Sequence, residues 1–162
     1  MATRRSSPED GDTDGPDGQS SPTARPEILV DTGAWVAATV TDDAHHVQAT
    51  AVYRPYLARY RWVTTNLIIA ESYILLRRAA GHRRAVAFLE RVAASPRVRK
   101  IHSDARLEGE AEAILRHFKD QDFSFTDAVS FALMRDRGME AAFAFDTHFH
   151  TMGFRLLPAD ET

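Results

Sequence analysis

The sequence predicts an α/β fold, a five-stranded parallel sheet between two layers of helices. Three observations carry that expectation. Five short apolar runs alternate with longer stretches of helical periodicity. The first run, "ILVD", is short, apolar and β-branched, as suits a strand buried in a parallel sheet. Asp31 and Asp146 each follow such a run, at the strand end where open parallel sheets bind ligands. The chain has 162 residues, a length suited to one domain with one core.

Residues 1–26 contain no Val, Ile, Leu or aromatic residue and are dominated by Gly, Pro, Ser and Asp. Such a segment cannot bury enough surface to offset its ordering entropy, so a disordered tail is expected. Order begins with "ILVD", which reads as the first strand. A helix is expected from about Gly33 to Val40 and a second over "DDAHHVQATAVYRPYLARY", with Pro55 kinking or breaking it. "RWVTT" reads as the second strand. "NLIIAESYILLRRAAG" is a helix capped by Thr65 or Asn66 and stopped by Gly81. "RRAVAFLERVAAS" is another helix, and "RVRKIH" the third strand. "DARLEGEAEAILRHF" is a helix with Ser103 as its candidate cap. "FSFTDAVSFALMRDRG" is a strongly apolar helix. "AAFAFD" and "FRLLP" complete the strands, and residues 159–162 form a short tail.

Composition narrows the chemistry. There is no cysteine, which excludes disulfides, thiol nucleophiles and thiolate-bound zinc. No apolar run reaches the length of a membrane span, and the N-terminus has no apolar signal core, so a cytoplasmic protein without membrane contact is expected. The net charge of −3 hides an asymmetry. Residues 54–100 carry net +9, between acidic segments on either side. A basic middle beside clustered acids suits a polyanionic substrate, and equally suits arginines that only solvate helix faces.

Four acids are candidates for a site. Asp31 at a strand-to-helix turn suits an N-cap or a functional carboxylate. Glu71 shares a helical stripe with Leu67, Ile74 and Leu75, so burial would demand a partner, either a metal ion or an arginine from elsewhere. Asp127 forms with Ser124 the pattern of a capping box, and one carboxylate can cap with one oxygen and ligate with the other. Asp146 can cap or ligate as well. Two acids at strand ends and two near helix starts can converge on one sheet edge. Four such carboxylates repel and raise one another's pKa unless a cation joins them. Oxygen donors without thiolates favour Mg²⁺ or Mn²⁺. Such an ion can activate water for attack on phosphorus and neutralise the leaving oxygen, which is phosphodiester hydrolysis.

The segments "ILVDTGAW", "TTNLIIAESYILL", "DFSFTDAVSFALMRDRG" and "AFAFDTHFHTMGFRLLP", in this order, closely resemble PIN-domain proteins. The nearest likeness is to VapC-like toxin ribonucleases of type II toxin–antitoxin systems and their stand-alone relatives, over residues 27–158. The resemblance implies a PIN-like three-layer α/β/α fold and a Mg²⁺- or Mn²⁺-dependent endoribonuclease. It assigns catalytic and metal-binding roles to Asp31, Glu71, Asp127 and Asp146 and supporting roles to Thr32 and Thr126. It also implies a cognate antitoxin and a homodimer. Family members begin just before the first strand, so the polar tail departs from the pattern.

Other features complete the expectations. Arg77, Arg78, Arg83 and Arg84 flank the Glu71 helix and could bind RNA phosphates or an acidic partner. Asp122 is a further acid nearby. His148 and His150 could touch substrate, whereas His45 and His46 point about 100° apart on a helix and chelate poorly. Trp35 and Trp62 read as core. Competing readings are a stand-alone RNA-processing nuclease, a non-catalytic nucleic-acid-binding module, and an aspartyl-phosphate enzyme using Asp31. The last would want a second acid at Gly33 or a well-placed lysine, which the chain lacks.

Overall fold

The computed structural model describes residues 24–159. Residues 1–23 and 160–162 lie outside the described residues, and with them most of the expected tails. Five strands form one sheet in the order β3-β2-β1-β4-β5, with every neighbouring pair parallel. They are β1 (Glu27–Val30), β2 (Arg61–Thr65), β3 (Val98–Ile101), β4 (Ala141–Phe143) and β5 (Arg155–Leu157). Seven helices connect and cover them among the described residues: α1 (Thr32–Thr39), α2 (His46–Arg59), α3 (Asn66–Ala80), α4 (His82–Ala94), α5 (Ala105–His117), α6 (Phe125–Asp136) and α7 (His148–Thr151).

The strand order explains where a site can form. From β1 the chain builds outward through β2 to β3, then returns to the other side of β1 for β4 and β5. The switch therefore lies between β1 and β4, and a crevice opens beyond their carboxyl ends. Residues 28–30 and 141–143 are buried throughout, as central parallel strands require. Trp62, Phe143, Phe131 and Phe149 are fully buried. Trp35 packs edge-on against both Trp62 and Phe88, so both tryptophans belong to the core as expected.

Several expected boundaries move. Pro55 neither ends nor breaks α2, which runs unbroken from His46 to Arg59. Val52, Tyr53, Tyr56 and Leu57 pack against the core on either side of the proline, and that tertiary contact outweighs the lost backbone bond. The same helix starts at His46 rather than Asp42, because residues 41–45 form turns. Thr65, not Asn66, caps α3, its hydroxyl accepting from Ile68 N at 3.0 Å. Asn66 Oδ1 instead accepts from Ser103 N at 2.8 Å. Asp104 caps α5, accepting from Leu107 N at 2.8 Å, while Ser103 Oγ donates to Glu108 Oε1 at 2.7 Å. Gly81, with φ of +83°, both ends α3 and starts α4, a backbone state that side chains disfavour. β4 stops at Phe143, so Asp146 does not end the strand but lies in the loop before α7, a one-turn helix absent from the expectations.

An ion pair fastens the amino end of the central strand β1, opposite the crevice. Arg137, just after α6, donates through Nε and Nη2 to Glu27 Oε2 and Oε1 at 2.8 and 2.7 Å. This two-pronged bond holds the Glu27 carboxyl below its usual range, against the upward push of partial burial. A depressed carboxyl pKa stabilises the fold above the unfolded pKa, and that stabilisation is lost as pH falls through the folded value. Arg137→Ala is expected to lower the urea-unfolding free energy by about 1–3 kcal/mol at pH 7, with a smaller difference at pH 3.

Candidate metal centre

Asp31 enters the crevice because β1 delivers it there. Its backbone N–H donates to Phe143 O at 3.0 Å, continuing the pairing of β1 with β4 one residue past the strand. Its carbonyl accepts from Ala34 N and Trp35 N, which starts α1. Its Oδ2 accepts a long bond, 3.4 Å, from Gly33 N. The cap expectation therefore holds, with a weak side-chain bond. The side chain is only 7 % exposed. Burial raises its pKa from an ordinary 3.8 to about 7, helped by the nearby carboxylates of Asp127 and Asp146 and opposed by the backbone N–H groups of Thr32 and Gly33.

Asp127 occupies the third position of α6 and completes a full capping box. Ser124 Oγ accepts from Asp127 N at 3.0 Å, and Asp127 Oδ2 accepts from Ser124 N at 2.9 Å. Its Oδ1 accepts no hydrogen bond among the described residues. One oxygen caps and the other is available.

Asp146 Oδ1 accepts from His148 N at 2.9 Å, which ties the loop to the start of α7. His148 Nδ1 lies 3.3 Å from Asp146 Oδ2 and 3.4 Å from Asp127 Oδ2. Asp127, Asp146 and His148 each offer a ligand atom within 4.8 Å of the others. This triad is the group among the described residues able to hold a metal ion. The histidine is the member that the acid pattern misses. Its signal was its place two residues after Asp146 in "FDTHFH", where a one-turn helix folds the ring back over the acid.

Glu71 differs from expectation in its surroundings. Ile74 and Leu75 are 48 % and 39 % exposed, so its stripe of α3 does not face the core. Ile68, Ile69, Ser72 and Leu76 are the buried positions of that helix. Glu71 is half-buried and does not need a partner for burial. It has one nonetheless. Thr32 Oγ1 donates to Glu71 Oε2 at 3.1 Å, which links α3 to the residue following Asp31.

The remaining candidates divide. The Thr126 carbonyl accepts from Ser130 Oγ at 2.8 Å, and its hydroxyl bonds none of the four acids among the described residues. Arg77, Arg78, Arg83 and Arg84 are exposed. Arg77 and Arg78 lie six and seven residues beyond Glu71, roughly 10 Å along α3. Arg77 contacts His82 across the turn into α4. Asp122 is exposed and His150 is exposed, and neither belongs to the triad. A cavity of about 530 Å³ between α1, α2 and α4 is lined by none of the four acids.

The donor set fits a hard divalent cation. Asp127 and Asp146 lie close enough to Asp31 to raise its pKa together with its burial, and Asp127 keeps one carboxylate oxygen without a hydrogen bond among the described residues, a charge-rich oxygen set that a hard cation would relieve.

A sequence profile described as the PIN domain matches residues 28–155. The chain belongs to the PIN-domain family. This PIN domain is 39 % identical over 130 residues to the 23S rRNA-specific endonuclease VapC20 of Mycobacterium tuberculosis, in two strains. That alignment covers 78 % of this chain and 95 % of the relative. The crystal structure of the Mycobacterium tuberculosis VapC20, described as a sarcin-ricin loop cleaving toxin, superposes with a TM-score of 0.74 at 37 % identity. It covers 78 % of this chain and 95 % of that chain. The expected fold class, the parallel five-stranded sheet between helices, is the observed one.

Proposed function

We propose that this PIN domain is a metal-dependent endoribonuclease and the toxin of a toxin–antitoxin pair. The observation that carries the reading is the convergence of Asp127, Asp146 and His148 beside the buried, proton-hungry Asp31 at the β1–β4 switch. The likeness to a named endonuclease supports it. The unit responsible is residues 27–158.

Asp127 and Asp146, with His148 and the neighbouring Asp31, would hold the cation, Mg²⁺ or Mn²⁺. When bound, the ion supplies a more acidic water and neutralises charge on the phosphodiester. Asp127 would offer the cation a carboxylate whose Oδ2 also keeps α6 capped. Glu71, oriented by the Thr32 hydroxyl, positions the attacking water through its carboxylate. Water adds to phosphorus, the bond to the leaving ribose oxygen breaks, and that oxygen takes up a proton. His148 fixes Asp146 through its backbone N–H and sets its ring beside Asp127 and Asp146, where it would contact substrate or ion. Arg77, Arg78, Arg83 and Arg84 contribute salt-sensitive phosphate contacts.

The substrate class is ribosomal RNA, by the likeness to VapC20. A cognate antitoxin protein restrains the enzyme, and the active form is a homodimer. No helix among the described residues is long and apolar enough to cross a membrane. A cytoplasmic site of action is the natural one for an enzyme acting on ribosomes. Purified chain incubated with ribosomes and Mg²⁺ or Mn²⁺, followed by primer extension over the large-subunit rRNA, tests the substrate. A single strong stop within a loop, absent with EDTA, is expected. Intact rRNA alongside cleaved tRNA or messenger RNA would reject the ribosomal assignment and keep the nuclease.

A further inference from the structure

An aromatic trail leads from the core to the rim of the metal centre. Trp62 packs edge-on against Phe143 at 5.7 Å between ring centroids. Phe143 packs against Phe145 at 6.1 Å. Phe145 then meets His45 at 4.3 Å with only 7° between the ring planes, a parallel stack. Phe145 is the residue immediately before Asp146, and His45 immediately precedes α2. The first ring is fully buried and the last is exposed.

Among the described residues, the stack on Phe145 is the ring contact recorded for His45. Its backbone is held, the N–H donating to Asp43 Oδ1 at 2.8 Å and the carbonyl accepting from Ala49 N at 2.8 Å. The imidazole itself makes no hydrogen bond among the described residues. Its neighbour His46 is accounted for, with Nδ1 on the Ala37 carbonyl at 2.7 Å. An imidazole that spends one face on a phenyl ring and leaves the other in solvent has the form of an open-ended stack.

We infer that His45, laid flat on Phe145, is a stacking platform for one unpaired base of the RNA substrate, next to the scissile phosphate. The inference rests on the nuclease reading above. A π-face accepts any base whatever its hydrogen-bonding edge, which suits a rim where clustered carboxylates repel the backbone. Anchoring through Phe145 and Phe143 makes the platform rigid, so little side-chain freedom is lost on binding. Stacking of one base contributes about 1–3 kcal/mol, which is roughly a 5- to 150-fold effect on affinity. His45 is thus a positioning residue, acting on substrate register rather than on the bond that breaks.

The test uses the full chain and single-stranded oligoribonucleotides spanning the cleavage site. In one set each successive nucleotide is made abasic, and in another it is replaced by 2-aminopurine. With the unsubstituted chain, one abasic position should raise KM about tenfold with little change in kcat. At that position 2-aminopurine fluorescence should be quenched on binding. His45→Ala should raise KM on intact RNA by a similar factor and remove both the abasic penalty and the quenching. His45→Phe should restore all three. An abasic penalty that survives unchanged in His45→Ala, or a failure of His45→Phe to restore it, would overturn the platform. Absence of any cleavage by the unsubstituted chain would instead count against the nuclease reading. The fluorescence comparison in the Asp127→Asn background, which still caps α6, then decides the stacking without turnover.

Discussion

Asp31→Asn is expected to make the cation-free chain more stable and the enzyme inactive. The native aspartate is buried with its pKa pushed up to about 7. The unfolded chain ionises it near 3.8. Between those values the folded chain holds a proton that the unfolded chain has released. Stability therefore falls as pH rises through that window, by about 4 kcal/mol in full at pH 8. Asparagine keeps a side-chain oxygen for the Gly33 N–H, caps helices well, and carries no charge to desolvate. Urea unfolding in EDTA should therefore show Asp31→Asn ahead of the native sequence at pH 8, with the two converging near pH 4. In the presence of metal, RNA cleavage by the same variant should fall by at least about 100-fold, the consequence of losing a ligand to the ion. A gain in stability paired with a loss of activity is the signature of a residue kept for chemistry. A variant less stable than the native chain at pH 8 would mean that the carboxylate contributes to the fold.

The second large effect concerns the cation itself. An ion that binds only the folded chain stabilises it by mass action, about 2.7 kcal/mol at a hundred times its dissociation constant. It also releases Asp31 from its proton. Mn²⁺ or Mg²⁺ should therefore raise the thermal midpoint of the native chain strongly at pH 8 and barely at pH 5. At the lower pH the proton already occupies Asp31 and competes with the metal. Differential scanning fluorimetry across that range, with Ca²⁺ and Na⁺ as comparisons, reads the effect directly. An increase at pH 5 equal to that at pH 8 would place the ion elsewhere on the surface.

Much of this was legible in the residues, for identifiable reasons. The strands were readable because burial on both faces makes "ILV" and "AAF" continuously apolar, and a parallel sheet follows from the helices between them. Asp31 and Asp127 were readable because their positions follow from local rules, a strand-to-helix turn and a capping box, both of which the chain obeys. What depends on tertiary contact was not. The exposed flank of α3 carries Ile74 and Leu75, so hydrophobicity alone misread the burial of Glu71. Pro55 stays inside α2 because the aromatic residues around it pack on the core. β4 ends early, and the resulting loop carries Asp146 and turns His148 back onto two acids. No periodicity encodes that return. The His45–Phe145 stack joins residues a hundred positions apart and could not be read from either neighbourhood.

Whether the clustered acids serve a metal-dependent nuclease is read most directly from cleavage of labelled structured RNA by purified chain with Mg²⁺ or Mn²⁺, with EDTA, and with Asp127→Asn. Asparagine keeps the shape of the side chain and an oxygen for the Ser124 N–H, so α6 stays capped while ligation weakens. Cleavage that requires metal and is lost in the variant is expected, with the fold unchanged by circular dichroism. Cleavage by Asp127→Asn at the native rate, or cleavage by the native chain that persists in EDTA, would contradict it.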